Sequence, residues 1–183
     1  MLIIKNNYHG GLDDFEEEIK VNIPTDYKQF IEKYNGGDTP NTKIQTKHIS
    51  TDVRVFYGIG NKHDNLNAAN CFTKENNVFL PIASDSFGNE FALCIKGDEK
   101  GIWFYDHEAS PDKKMTLVSN TFNEFINCCE SEPISEAAKR TPEERERILI
   151  EKGKSTNITD GLKELWKKEY EKYQNCVIVE IEI

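Results

Sequence analysis

Asp106-His107-Glu108 sets two carboxylates and an imidazole side by side at the end of an aromatic run, and Asp85 lies in a polar turn just upstream. Carboxylates with a histidine are the groups that hold a divalent cation or exchange protons in acid–base catalysis. On an extended strand neighbouring side chains point to opposite faces, so Asp106 and Glu108 converge while His107 looks away. Polar residues at a strand end more often cap a loop and satisfy its backbone groups. A metal-dependent enzyme using Asp85, Asp106 and Glu108 therefore stands second to a non-enzymatic reading.

The rest of the chain adds little catalytic chemistry. His9, His48, His63 and His107 are far apart, and none belongs to an HExxH pair. Cys71, Cys94, Cys128, Cys129 and Cys176 make an odd number without a CxxC spacing, which is neither a disulfide framework nor a zinc site. All five are read as reduced thiols. Gly58-Ile59-Gly60-Asn61 lacks the third glycine and the Lys-Ser/Thr of a phosphate loop, and no serine or cysteine sits in a nucleophile elbow. No cofactor and no metal are expected.

The net charge of -9 is unevenly placed. From Met1 to Pro133 there are 13 Lys+Arg against 21 Asp+Glu, while Ile134 to Gln174 holds 10 against 9. An acidic domain repels phosphate backbones, which argues against nucleic acid and for a basic protein partner, although acidity also serves solubility. The 37% of apolar residues fits a folded soluble protein. No apolar run approaches a membrane span, and Met1-Leu2-Ile3-Ile4 is followed at once by Lys5, so a cytoplasmic location is expected.

The elements that position these residues centre on Phe79 to Glu108. Three short apolar strands are separated by the turns Asp85-Ser86-Phe87-Gly88-Asn89 and Lys96 to Gly101, whose Gly and Asp suit hairpin loops. Ile102 to Tyr105 runs without a polar break, which means burial on both faces or aromatic cross-strand packing. Base stacking by these aromatics is disfavoured for want of basic neighbours. Upstream, Leu12 to Lys20 and a helix opened by Pro24 and closed by Asn35-Gly36-Gly37 are amphipathic. A polar loop from Asp38 to Lys43 leads to strand-like sequence from Ile44 to Tyr57, and Leu66 to Phe72 reads as a short helix. Thr121 with Glu124 forms a capping box for a third helix carrying Phe122, Phe125, Ile126 and Cys129. Two more helices follow, one from Thr141-Pro142 to about Lys152 and one from about Asp160 with Leu162, Leu165, Trp166, Tyr170 and Tyr173 on one face. Cys176 to Ile183 closes the chain as a half-buried strand, with Val177, Val179, Ile181 and Ile183 on the apolar side.

Ile23-Pro24-x-x-Tyr27, Tyr34-Asn35-Gly36-Gly37, Leu80-Pro81-Ile82-Ala83 with Gly88-Asn89, Gly101 to Glu108, and Thr121-Phe122-x-Glu124-Phe125 together resemble the SMI1/KNR4 (SUKH) superfamily. The resemblance implies an α+β fold, an antiparallel β-sheet with helices packed against it, over residues 1–133. Residues 134–183 form a C-terminal helix-helix-strand extension expected to dock on the same domain. It also implies an immunity protein of a polymorphic or contact-dependent toxin system that binds a cognate toxin domain, often a nuclease, with a regulatory scaffold as the alternative within the fold. No catalytic residue carries over. The expected partner contacts are Asp38, Asp85, Asp106 and Glu108, on a monomer with neither nucleic acid nor membrane as partner.

Overall fold

The computed structural model describes residues 1–4, 11–21, 23–60, 65–66 and 71–183, with the main chain alone at Glu18. The expected α+β architecture with antiparallel sheets is present. Contacts divide the chain into a β-rich unit, Met1–Glu132 with Ile178–Ile183, and a helical unit, Pro133–Val177.

The β-rich unit is built on β7 (Asn77–Ser84), β8 (Glu90–Lys96) and β9 (Ile102–Tyr105), the expected meander. To it are added β10 (Met115–Ser119) on one side and β5 (Val55–Phe56) and β2 (Gly37–Asp38) on the other, giving the order β10-β9-β8-β7-β5-β2. A seventh strand, β6 (Phe72–Lys74), pairs with the start of β7. Pro81 sits within β7 without an N–H to donate, and the ladder to β8 slips a residue there.

One face of this sheet carries Leu80, Ile82, Phe91, Leu93, Ile102 and Phe104 into the core. Helices α2 (Thr25–Tyr34) and α3 (Phe122–Asn127) cover it. Phe30 is the hub of an aromatic cluster, with ring centroids 4.9 Å from Phe56 and 5.0 Å from Phe122, in the tilted geometries aromatic pairs favour. Pro24 is the residue before α2 rather than its first turn. Thr121 Oγ1 accepts from Glu124 N at 3.1 Å, but Glu124 Oε2 returns to Asn120 N at 2.9 Å, so the box closes one residue early.

A three-stranded sheet, β11-β3-β4, flanks the main one. It contains β3 (Thr42–Gln45), β4 (Ser50–Asp52) and β11 (Cys129–Ser131). Ile44 to Tyr57 is thus three short strands, because Thr46 folds the chain back: its N–H donates to Ile49 O at 2.9 Å and its hydroxyl accepts from His48 N and Ile49 N. Cys129 lies on β11, after α3 has ended, and Asp38 lies on a strand rather than in a loop. In the helix expected from Leu66 to Phe72, Leu66 is buried, Phe72 opens β6, and residues 67–70 lie outside the described residues. Helix α1 (Leu12–Ile19) buries Leu12 and Phe15. At the termini β1 (Leu2–Ile4) pairs antiparallel with β12 (Ile178–Glu180), and Tyr34 Oη donates to Glu180 O and accepts from Glu182 N. Val179, Ile181 and Ile183 join the core as expected of a half-buried strand, whereas Val177 is exposed.

The helical unit holds α4 (Pro142–Glu151) and α5 (Asp160–Tyr173) around a 3-10 turn, Ser155–Asn157. Thr141 and Glu144 form the full capping box, and Gly153 takes φ 68 beyond the C-terminus. Arg145 Nη1 meets Glu169 at 2.6 Å and Lys163 meets Glu146 at 2.7 Å, joining the two helices. Trp166 is buried, while Leu165 of the same expected face is exposed.

Candidate functional site

The turn after β7 is organised by a carboxylate it encloses. Asp85 is 1% exposed. Its Oδ1 accepts from Phe87 N (2.9 Å) and Asn89 N (2.8 Å), and its Oδ2 from Thr51 Oγ1 and Asn89 Nδ2 (both 2.9 Å). With four donors around it, Asp85 is engaged inside the protein and shapes the loop that displays Phe87 at the surface. Asn89 Nδ2 is committed to Asp85, so Oδ1 faces the other way and accepts from His107 N (3.3 Å) and His107 Nδ1 (2.9 Å). That bond puts the imidazole proton on Nδ1 and leaves Nε2 3.9 Å from Glu108. Thr51, Asp85, Asn89 and His107 thus tie β4 and the two loops into one rigid corner.

Asp106 does not converge with Glu108. Its Oδ1 accepts from Glu108 N (3.0 Å) and Ala109 N (3.2 Å), a turn that reverses the chain after β9 and leaves the Glu108 side chain in solvent. Among the described residues no three His, Cys, Asp or Glu side chains are gathered as a metal ion would require. Asp85 and Asp106 therefore lie in neighbouring turns of this corner, Asp85 held by two backbone and two side-chain donors and Asp106 Oδ1 by two backbone donors, while the Glu108 carboxylate stays apart in solvent.

Asp38 lies elsewhere but on a related surface. Cross-strand pairing runs Asp38, Val55, Ser84, Glu90, Tyr105, Met115 in one row across the sheet, and directly paired residues share a face. That face is opposite to α2 and α3. Its next row is Pro81, Ala92, Trp103 and Leu117, and Phe79 with Phe72 continues it. The rings are in contact: Phe72 lies 5.4 Å from Phe79 and 5.0 Å from Tyr105, and Phe79 lies 5.9 Å from Trp103. Lys74 Nζ stands 5.7 Å from the Trp103 ring and Lys114 Nζ 5.6 Å from the Tyr105 ring, within cation–π range. Glu90 is half-buried beside them. Burial pushes its carboxyl above the ordinary value of 4.5, against the hydrogen bond from Tyr57 and the charge of His107, which pull it down.

Sequence reasoning assigned Trp103 to Tyr105 to core packing and passed over Glu90 and Tyr57. Parity held the missing signal, since Ile102 and Phe104 are buried while Trp103 and Tyr105, on the other face, are half-exposed.

The stretch of sequence that builds this corner is that of a known family. A profile of the SMI1 / KNR4 family (SUKH-1) matches residues 11–128, and the chain belongs to that family, which includes immunity proteins of toxin systems. It is similar to the SPbeta prophage-derived uncharacterized protein YokK of Bacillus subtilis (strain 168), 34% identical over 154 residues that cover 70% of this chain and 77% of the relative. No solved structure matches. No helix among the described residues is long and apolar enough to cross a membrane.

Proposed function

We propose that this protein is a cytoplasmic immunity protein that neutralises a cognate toxin domain by stoichiometric binding and has no catalytic role of its own. Family membership carries the reading, since the family includes immunity proteins. The hydrogen bonding of the Asp85–Glu108 corner supports it: hydrogen-bonded turns that display Phe87 and Glu108 suit recognition, while Asp85 and Asp106, two of the three carboxylates a reaction would use, accept from donors of the protein itself. The partner is a basic, nuclease-like domain, because the excess of carboxylates before Pro133 steers such a surface and repels nucleic acid. Asp38, half-exposed on β2, and Glu108, exposed in its turn, are its acidic contacts, with Asp106 fixing the turn that carries Glu108 and Asp85 the loop that carries Phe87. Co-expression with a toxin domain, sought first among the genes beside this one, tests the reading. Growth is rescued, and the two proteins co-purify as a complex whose association slows with salt; rescue without any complex overturns it.

A further inference from the structure

Strand β10 is the outer strand of the seven-stranded sheet and, among the described residues, pairs with β9 alone. Its sequence, MTLVS, has no proline or charge to blunt the edge, and Leu117 at its centre is 39% exposed beside the half-exposed Trp103. Lysines bracket it. Lys113 and Lys114 precede its first residue, and Lys100 closes on its far end, where the neighbouring Gly101 packs so tightly that a Cβ there would lie 2.2 Å from Ser119 O. Lys96 stands on the same hairpin as Lys100. In an acidic chain that pairs Lys28, Lys33 and Lys43 with carboxylates, none of these four has a carboxylate partner among the described residues. Of the acids nearby, Asp112 accepts from Ser110 Oγ and Glu124 from Asn120 N, while Asp98 and Glu99 lie in the hairpin between Lys96 and Lys100 without forming an ion pair with either among the described residues.

We propose that the β10 edge is a docking site for an extended segment of a protein partner, apolar at its centre and acidic at both ends. The segment adds as a further strand alongside β10, its backbone meeting the free edge. Its central side chains meet Leu117, Met115 and Trp103, and its terminal carboxylates meet Lys113 and Lys114 at one end and Lys100 at the other. Five residues of β10 span roughly 17 Å, so a segment of about nine residues reaches the lysines at both ends. The inference rests on the chain being a protein-binding immunity protein, and it names a contact separate from the acidic corner.

The probe is a capped, fluorescein-labelled peptide, DEVTITVED, with KKVTITVKK as its charge-reversed control. Anisotropy shows saturable binding of the acidic peptide that weakens with salt, and amide exchange slows along Met115–Ser119. Leu117→Lys and the pair Lys113→Glu, Lys114→Glu each weaken binding by about tenfold or more; Leu117 and Lys113 are exposed, and unchanged thermal unfolding of each variant shows that the loss is not one of folding. No binding, equal binding of the basic peptide, unprotected β10 amides, or self-association of the chain through β10 each overturns the proposal. In the co-expression assay wild type rescues growth and Leu117→Lys rescues less. If both rescue equally, the docking site is wrong and the immunity reading stands; if wild type fails to rescue, the immunity reading itself is wrong.

Discussion

Asn35 and Ile59 are joined by two hydrogen bonds across 24 residues: Asn35 Nδ2 donates to Ile59 O at 3.0 Å, and Asn35 Oδ1 accepts from Ile59 N at 2.8 Å. Asn35 ends α2 in the left-handed conformation (φ 49, ψ 48), which asparagine tolerates, and its amide there imitates a backbone peptide. Gly36 and Gly37 follow because a Cβ at either would strike main chain, 2.7 Å from Gly58 N and 2.4 Å from Ile4 O. The Asn-Gly-Gly motif is therefore a clamp between helix and sheet. Asn35→Ala leaves both Ile59 groups buried without partners and costs about 2–4 kcal/mol in urea unfolding; a loss below about 0.5 kcal/mol would remove the clamp from this account.

Tyr27 carries a buried hydroxyl with no hydrogen-bond partner among the described residues, and burial raises its pKa. Tyr27→Phe removes a polar atom that folding desolvates for no return and keeps the ring contacts to Phe30 and Phe122. Thermal unfolding shows the variant at least as stable as wild type, by up to about 1 kcal/mol. A clear loss would mean that the hydroxyl has a partner.

Much of the β-rich unit was legible before the structure because its punctuation is local. Gly and Asp mark both turns of the β7–β9 meander, and in the helical unit Thr141-Pro142 likewise marks the start of α4. What stayed hidden was non-local or lacked such residues. Thr46 turns the chain between β3 and β4 with no Gly or Pro in Thr46-Lys47-His48-Ile49, so one strand was read where there are three. Asp85 looks like a loop-surface acid in sequence, yet Thr51 and Asn89 enclose it. The half-exposed side of β9 was missed because Ile102 to Tyr105 holds no polar residue, so residue type does not mark the alternation of buried Ile102 and Phe104 with half-exposed Trp103 and Tyr105, and strand parity was not applied to it.

That enclosure separates two carboxylates of the same corner. Asp85→Ala removes four acceptor bonds and destabilises the protein by about 3 kcal/mol, whereas Glu108→Ala, on an exposed side chain, stays within about 0.5 kcal/mol. Denaturant midpoints for the two variants test this, and equal midpoints would contradict it.

Glu90 gives the pH dependence a sign. Its carboxyl is raised from 4.5 by burial, so above 4.5 the folded state keeps a proton that the unfolded chain has released. Its contribution to stability is whole below 4.5, declines as pH rises through the folded pKa, and is flat beyond. Glu90→Gln, which can still accept from Tyr57, therefore gains on wild type as pH rises from 4.5 towards neutrality. Melting temperatures measured in parallel at several pH values show the gap widening upward; a gap widening downward would mean that partners, not burial, dominate at Glu90.

Titrating the purified toxin domain with this protein tests the central claim most directly. Stoichiometric binding predicts that toxin activity falls linearly and ends at one equivalent, with a complex of matching mass. Complete protection by a small fraction of an equivalent, with toxin left modified or cleaved, would contradict it and make the protein a detoxifying enzyme.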